Sequence, residues 1–214
     1  MSKKILTAPS LFAADFGHLA DEAKRCEDAG ADAIHFDIMD GNFVPNLSLS
    51  PRALAAVNRA TVLFLDVHIM VYNPYDYVER LVEAGADRIT FQLEATENVE
   101  ECIEYIDRCG VKSGLAFSPE TSVEMIPKYV EAVDLILLMT VNPGFGGQAF
   151  LPEVLEKVRF VRETAGPEKL IQVDGGVDDK TAPLCIEAGA NSLVSGTYLF
   201  KGDMKQKIQA LRLG

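Results

Sequence analysis

The sequence predicts one parallel α/β domain closed into an eight-stranded barrel, on three observations. Short β-rich runs alternate with helix-period segments along all 214 residues. Those runs number eight, the count that closes a parallel barrel. One αβ loop recurs as CEDAGADAIHFD, LVEAGADRITFQ and CIEAGANSLVSG, each setting a helix end, Gly, Ala and an acid or amide before a strand. An open doubly wound sheet is the rival, but no GxGxxG joins the first strand run to its helix.

Taken in order, ILTAPS (5–10) is the first strand run, and DFGHLADEAKRCEDAG (15–30) is an amphipathic helix ending at Gly. AIHFDIM (33–39) and VLFLDVHIM (62–70) follow as strands, with PYDYVERLVEAG (74–85) a second Gly-terminated helix. RITFQLE (88–94), the helix NVEECIEYIDRCG (98–110) and KSGLAFS (112–118) continue the alternation. LILLMTV (135–141) precedes PEVLEKVRFVRETAG (152–166), LIQVDGG (170–176) precedes DDKTAPLCIEAG (178–189), and SLVSGT (192–197) is the eighth strand. The spacing is roughly 25–30 residues per strand–helix unit, eight units in all, with no Pro-, Ser- or charge-rich linker. Residues 1–214 therefore read as a single (β/α)₈ barrel.

Composition narrows the function. Hydrophobic residues at 48% and charged residues at 24% describe an ordinary globular chain with enough apolar surface for a core. The formal net charge of −12 leaves no basic field for a phosphodiester backbone or an acidic membrane, so nucleic acid and membrane are excluded as partners. A small anion held by backbone N–H groups stays compatible. Cys26, Cys102, Cys109 and Cys185 show no CxxC spacing and read as reduced, mostly buried thiols. MSKKILTAPSLF is too short in apolar length for a signal peptide, and no run approaches membrane-spanning length, so a cytoplasmic protein is expected.

Strand side chains alternate between faces, so His35, Asp37 and Met39 share one face while Ile34, Phe36 and Ile38 pack outward on helices. Parity puts Asp66, His68 and Met70 on the inner face of the third strand, and Gln172 and Asp174 on that of the seventh. Two imidazoles and two carboxylates at the C-terminal end of a barrel form a ligand set for Zn²⁺, and equally for Fe²⁺, Mn²⁺ or Co²⁺. A structural ion network is the alternative for the same residues. Asp66, one step deeper than His68, reads as support for a ligand, and His18 as a surface residue.

NPGFGGQAF (142–150), DGGV (174–177) and SGT (195–197) cluster glycines after strands six, seven and eight, where barrels bind phosphate through backbone donors. Met39, Met70 and Met139 fall at inward-facing strand ends, as core filler or as an apolar lid over a bound substrate.

The ordered motifs APSLFAADF, HFDIMDGNFVPN, DVHIM, VNPGFGGQAF, VDGGV and SGTYLF resemble the ribulose-phosphate 3-epimerase family over essentially the whole chain. The resemblance implies a (β/α)₈ TIM barrel of the ribulose-phosphate-binding type. It implies that His35, Asp37, His68 and Asp174 bind one divalent metal, zinc first among the candidates, with Asp37 and Asp174 also acting as acid and base. Ser10 and His68 would touch substrate; Gly144, Phe145, Gly146 and Gly147 would form a loop over it; Gly175, Gly176, Gly196 and Thr197 would hold its phosphate; Met39, Met70 and Met139 would line the reacting carbons. The implied reaction interconverts D-ribulose 5-phosphate and D-xylulose 5-phosphate by two-carboxylate proton transfer at C3 through a metal-stabilised enediolate. The implied partners are a sugar phosphate and further copies of the chain in a homo-oligomer.

Ala13, Gln92 and Thr197 depart from the family, which often has Ser, His and Ser there. PNLSLSP is similar to D-allulose-6-phosphate 3-epimerase, the close alternative, while VDGGV and SGTYLF favour the pentulose enzymes. A non-catalytic sugar-phosphate-binding barrel is the alternative of a different class. A decarboxylase or aldolase would need a lysine in the strand-end motifs, and Lys112 opens its strand at the wrong end.

Overall fold

The computed structural model describes residues 4–213. Its strands are β1 Leu6–Pro9, β2 Ala33–Met39, β3 Phe64–Met70, β4 Arg88–Gln92, β5 Lys112–Phe117, β6 Leu135–Met139, β7 Leu170–Asp174 and β8 Ser192–Ser195. All pair in parallel in the order β1-β8-β7-β6-β5-β4-β3-β2. A parallel bridge between Ser10 and His35 joins β1 to β2 and closes the barrel. That seam is tied from outside by Asp32, whose Oδ2 accepts from Thr7 N at 2.9 Å and from Arg212 Nη2 at 2.6 Å.

The helices are α1 Leu19–Asp28, α2 Pro51–Asn58, α3 Val78–Glu83, α4 Val99–Arg108, α5 Val154–Ala165, α6 Ala182–Ala188, α7 Thr197–Phe200 and α8 Met204–Leu213. α2 starts where Ser50 accepts from Ala53 N and Pro51 occupies the first turn, a position where its missing N–H costs nothing. α6 ends at Gly189, in the left-handed region at φ 112°.

All eight expected strands form, but several stop early. The runs 135–141, 170–176 and 192–197 end as strands at Met139, Asp174 and Ser195, since Gly175 and Gly176 adopt φ of 123° and 65° and Thr197 opens a helix. The expectation of eight strand–helix units needs a correction at the fifth crossover. Between β5 and β6 only a 3₁₀ turn, Val123–Met125, forms. Ser122 accepts from Glu124 N to cap the turn. The buried Lys157 of α5 reaches this segment instead, donating to the carbonyls of Ser118, Pro119 and Thr121 at 2.9, 3.0 and 2.6 Å.

Outward strand residues such as Ile34, Phe36, Ile38, Val67 and Ile69 are buried under the helices, each worth about 1.5–3 kcal/mol of hydrophobic stabilisation. The barrel interior is divided. Ala116, Leu135, Leu137, Met139 and Val141 fill one side with apolar surface. Across from them β2, β3, β4 and β7 project buried polar groups, and Gly114 of β5 makes room, since a Cβ there would meet Thr90 Oγ1 at 2.3 Å. The four cysteines are free, and burial pushes the thiols of Cys26, Cys102 and Cys185 up to about 12. Among the described residues no helix is long and apolar enough to cross a membrane.

Candidate active site

Register brings the polar strand residues to one level. Asp37 of β2 pairs with His68 of β3, and His35 pairs with Asp66 one step deeper. Parity turns all four inward. β7 supplies Asp174 at its last position, opposite Met139 of β6.

His35, Asp37, His68 and Asp174 each offer one donor atom, all within 4.8 Å of one another. His35 Nε2 lies 3.3 Å from Asp37 Oδ1 and 3.6 Å from Asp174 Oδ2, and His68 Nδ1 lies 3.2 Å from Asp37 Oδ1. Metal–ligand bonds of about 2.0–2.2 Å hold tetrahedral donors roughly 3.3–3.6 Å apart, so these side chains fit one ion. The fit has a second mark. His35 Nε2 is fully buried with no hydrogen-bond partner, which is costly unless something binds it.

The groups behind the cluster are also built in. Asp66, fully buried, accepts from His35 Nδ1 at 3.2 Å, Arg88 Nε at 2.9 Å and Gln172 Nε2 at 2.8 Å. Asp66 thus supports His35, as its depth in the strand predicts. Ser10 Oγ donates to Asp37 Oδ2 at 2.6 Å, so the serine expected at the substrate also orients a carboxylate.

Burial raises both cluster carboxyls, but their neighbours drive them apart. Against burial, His35 and His68 hold the Asp37 carboxyl well below the usual carboxylate range. Burial, with Asp37 beside it and His35 opposing, pushes Asp174 up to about 6. Burial pushes His35 down, yet Asp37 and Asp66 outweigh it and raise its pKa well above the ordinary value. Paired titratable groups with separated pKa values can serve as proton acceptor and donor.

The sign of the resulting pH dependence is fixed. Asp174, at about 6 folded against about 3.9 unfolded, binds its proton more tightly in the native state, so it favours folding below about pH 4 and loses that effect as pH rises through 6. The raised His35 acts in the same direction at higher pH, while the depressed Asp37 and Asp66 favour folding above about pH 4. Calorimetry in chelator should therefore show Tm of the metal-free protein rising as pH falls from about 8 to about 5, then dropping below about 4. Asp174→Asn should remove on the order of 1 kcal/mol of that rise; a flat wild-type profile would contradict the assignment.

A cavity of about 580 Å³ opens over the cluster. Ser10, Met39, Met70, Met139, Gly144, Phe145, Gly146, Gly147, Gly175, Gly176, Gly196 and Thr197 line it with Asp37 and Asp174. His35 and His68 are fully buried and are not among the residues that line it. Met39 and Met70 pack with Val44, Phe12 and Phe43 as an apolar wall, and Met139 caps the inner apolar cluster. Phe145 is half exposed at the mouth, and its loop is held by Asn46 Nδ2 donating to Gly144 O at 2.8 Å. At Gly175 a Cβ would meet Val141 Cγ2 at 2.4 Å, and at Gly176 the backbone N of Phe150 at 2.8 Å, so both positions exclude side chains.

Lys201 and Lys207 also line the cavity and bring the only Lys or Arg side chains to it among the described residues, beside Gly196 and Thr197. Sequence reading missed them because they lie in an ordinary polar helix region. Arg88 was missed too, though an Arg opening an otherwise apolar strand was a signal for a buried carboxylate partner.

The family model for the "Ribulose-phosphate 3 epimerase family" matches residues 6–200. The chain is 51% identical to the ribulose-phosphate 3-epimerase of Chlamydia muridarum (strain MoPn / Nigg), over 97% of this chain and 95% of that protein. It is 45% identical to the ribulose-phosphate 3-epimerase of Bacillus subtilis (strain 168), over 97% and 98%. A third relative, at 45% identity over 96% and 92%, is the cytoplasmic isoform of that enzyme from Oryza sativa subsp. japonica. Among solved structures, a mutant tryptophan synthase alpha-subunit from Pyrococcus furiosus superposes with a TM-score of 0.75 at 17% identity, covering 99% of both chains. Phosphoribosyl anthranilate isomerase from Thermus thermophilus gives 0.71 at 17% identity, covering 98% and 97%. At that identity the structural likeness is one of fold alone.

Proposed function

The chain belongs to the ribulose-phosphate 3-epimerase family and is an epimerase, and from that premise we propose that its single barrel interconverts D-ribulose 5-phosphate and D-xylulose 5-phosphate. One observation carries the reading. Asp37 and Asp174 stand on the floor of one cavity, within a cluster of donors fit for a cation, with their proton affinities driven in opposite directions.

Epimerising C3 beside a C2 ketone requires removal of a proton α to a carbonyl and delivery of a proton to the opposite face. Asp37, ionised and oriented by Ser10, takes the C3 proton of ribulose 5-phosphate. Asp174 delivers the proton on the other face, and the roles exchange in reverse. His35, Asp37, His68 and Asp174 would hold one divalent ion, zinc first and iron, manganese or cobalt otherwise. When bound, that ion supplies positive charge for the oxyanions that develop at C2 and C3. Met39, Met70 and Met139 keep water from the reacting carbons, which strengthens every charge interaction there. Gly175, Gly176, Gly196 and Thr197 form the phosphate end, where Gly175 and Gly176 leave room for backbone alone, and Lys201 and Lys207 set positive charge beside it in a chain of net charge −12. The Gly144–Gly147 loop covers the bound sugar.

The two-substrate comparison tests the pentulose assignment. With a defined metal, kcat/KM for ribulose 5-phosphate should exceed that for D-allulose 6-phosphate by at least about tenfold, as a pocket closed by a Met wall penalises an extra carbon unit by roughly 1–3 kcal/mol. Chelation should abolish turnover and metal return restore it. A preference for the hexulose would overturn the substrate, and full activity after chelation would overturn the metal.

A further inference from the structure

The loop at the mouth of the cavity is built as one piece. It leaves Thr140 and returns at Leu151, whose N donates to Thr140 O at 2.8 Å, so its two ends are clasped. Thr140 is itself anchored on the end of β7, its N donating to Asp174 O at 2.7 Å and its Oγ1 to Gly175 O at 2.6 Å. Clasped ends and a body filled by its own side chains make a compact Ω-loop. Between the ends, the hydrogen bonds of residues 142–149 among the described residues all come from two side-chain amides.

Gln148 works from inside the loop, its Nε2 donating to Asn142 O at 2.6 Å and to Phe145 O at 2.8 Å. Asn46 works from outside, its Nδ2 donating to Gly144 O at 2.8 Å while its Oδ1 accepts from Leu47 N at 2.9 Å. The partners fix the orientation of both amides. A carbonyl oxygen only accepts and a peptide N–H only donates, so reversing either amide would set like against like.

Asn46 stands on a seat that belongs to the strand of Asp37. Asp40, next after β2, bridges Leu47 in antiparallel fashion, and its carboxylate accepts from Asn42 N, Phe43 N and Tyr72 N at 2.8, 2.9 and 3.0 Å. Ser48 Oγ returns to β2, donating to Asp37 O at 2.8 Å. This hairpin packs the buried Val44 against Met39 and Met70. Gly144, at φ 120°, lies directly on Val44, where a Cβ would come within 3.0 Å, an approach and a backbone conformation that suit glycine alone.

We propose that Gln148 and Asn46 are positioning residues for the epimerase: Gln148 makes residues 142–149 a rigid lid, and Asn46 catches that lid on the hairpin carried by β2. The cover over the sugar is thereby registered to the strand that bears Asp37. The inference rests on the reading of the barrel as a ribulose 5-phosphate epimerase whose Gly144–Gly147 loop covers the substrate. A catch that holds the lid equally before and during the reaction contributes uniform binding, so its loss falls on KM rather than kcat.

Two measurements on the whole protein test it. Chymotrypsin under native conditions can cut after the exposed Phe145, and the rate of that cut follows the population of opened lid, with cleavage elsewhere in the chain as the measure of global unfolding. Asn46→Asp keeps the acceptor for Leu47 N but has no donor for Gly144 O; Gln148→Leu removes both inner bonds. Each should speed cleavage after Phe145 roughly tenfold with cleavage elsewhere unchanged, and raise KM for ribulose 5-phosphate by a similar factor. In Asn46→Asp kcat should stay within about twofold of wild type. Cleavage after Phe145 no faster than wild type in either variant would overturn the inference, as would faster cleavage at all sites alike or faster cleavage with KM unchanged. An equal fall in kcat and kcat/KM in Asn46→Asp would overturn it too, by placing Asn46 in the chemistry; each of these leaves the epimerase reading standing. Wild-type protein that does not turn over ribulose 5-phosphate would remove that reading, and this inference with it.

Discussion

Asp37→Asn should lower kcat/KM by roughly 10²–10⁴-fold, the usual contribution of a positioned general base, while the barrel stays folded. The amide keeps the shape of the carboxylate and can still accept from Ser10, but it no longer takes a proton. The isotope pattern is more specific than the rate. In D₂O, wild-type protein should wash deuterium into C3 of both epimers. Asp37→Asn should retain exchange only into xylulose 5-phosphate, through Asp174. Asp174→Asn should show the mirror image, exchanging into ribulose 5-phosphate through Asp37 without epimerising it. The asymmetry follows from one carboxylate on each face of the sugar. Exchange from both epimers in either variant, or full activity of Asp37→Asn, would sink the two-base assignment.

Asp66→Ala should cost about 3–5 kcal/mol of stability, because it strips the partner from Arg88, which is buried beside it. For a domain of this size that corresponds to a fall in Tm of roughly 10 °C or more. Metal affinity should drop as well, by about 10–100-fold, since His35 loses the acceptor that orients it. A double variant separates the two effects. Asp66→Leu with Arg88→Met removes the buried pair together and should recover most of the stability, as apolar replacements of buried ion pairs commonly do. It should recover none of the metal affinity. Recovery of both would show that Asp66 matters to the site only through folding; a single variant as stable as wild type would show the pair to be dispensable.

The glycine-terminated helices and alternating strands made the barrel legible, because each repeats a local pattern that neighbouring residues suffice to form. α4 shows this well, with Val99, Cys102, Ile103 and Ile106 buried at helical spacing and Gly110 just past its end. The fifth crossover was illegible for the converse reason. Nothing local in SPETSVEMIPKYVEA announces that a lysine from α5 will satisfy its carbonyls, so the segment needs no α-helix.

For the site, parity within β2, β3 and β7 identified His35, Asp37, His68 and Asp174 as inward-facing, and strand order placed them near one end. Their approach to within 4.8 Å depends on the stagger between strands, which closure of the sheet at Ser10 and His35 sets. The contacts of Ser10 with Asp37 and of Arg88 with Asp66, and the arrival of Lys201 and Lys207 at the cavity, belong to the same class of fact. The sequence by itself determined which side chains face the barrel axis, since alternation along a strand is a property of a few consecutive residues. Only the tertiary structure decided which of them touch, because distances across a barrel are set jointly by eight strands.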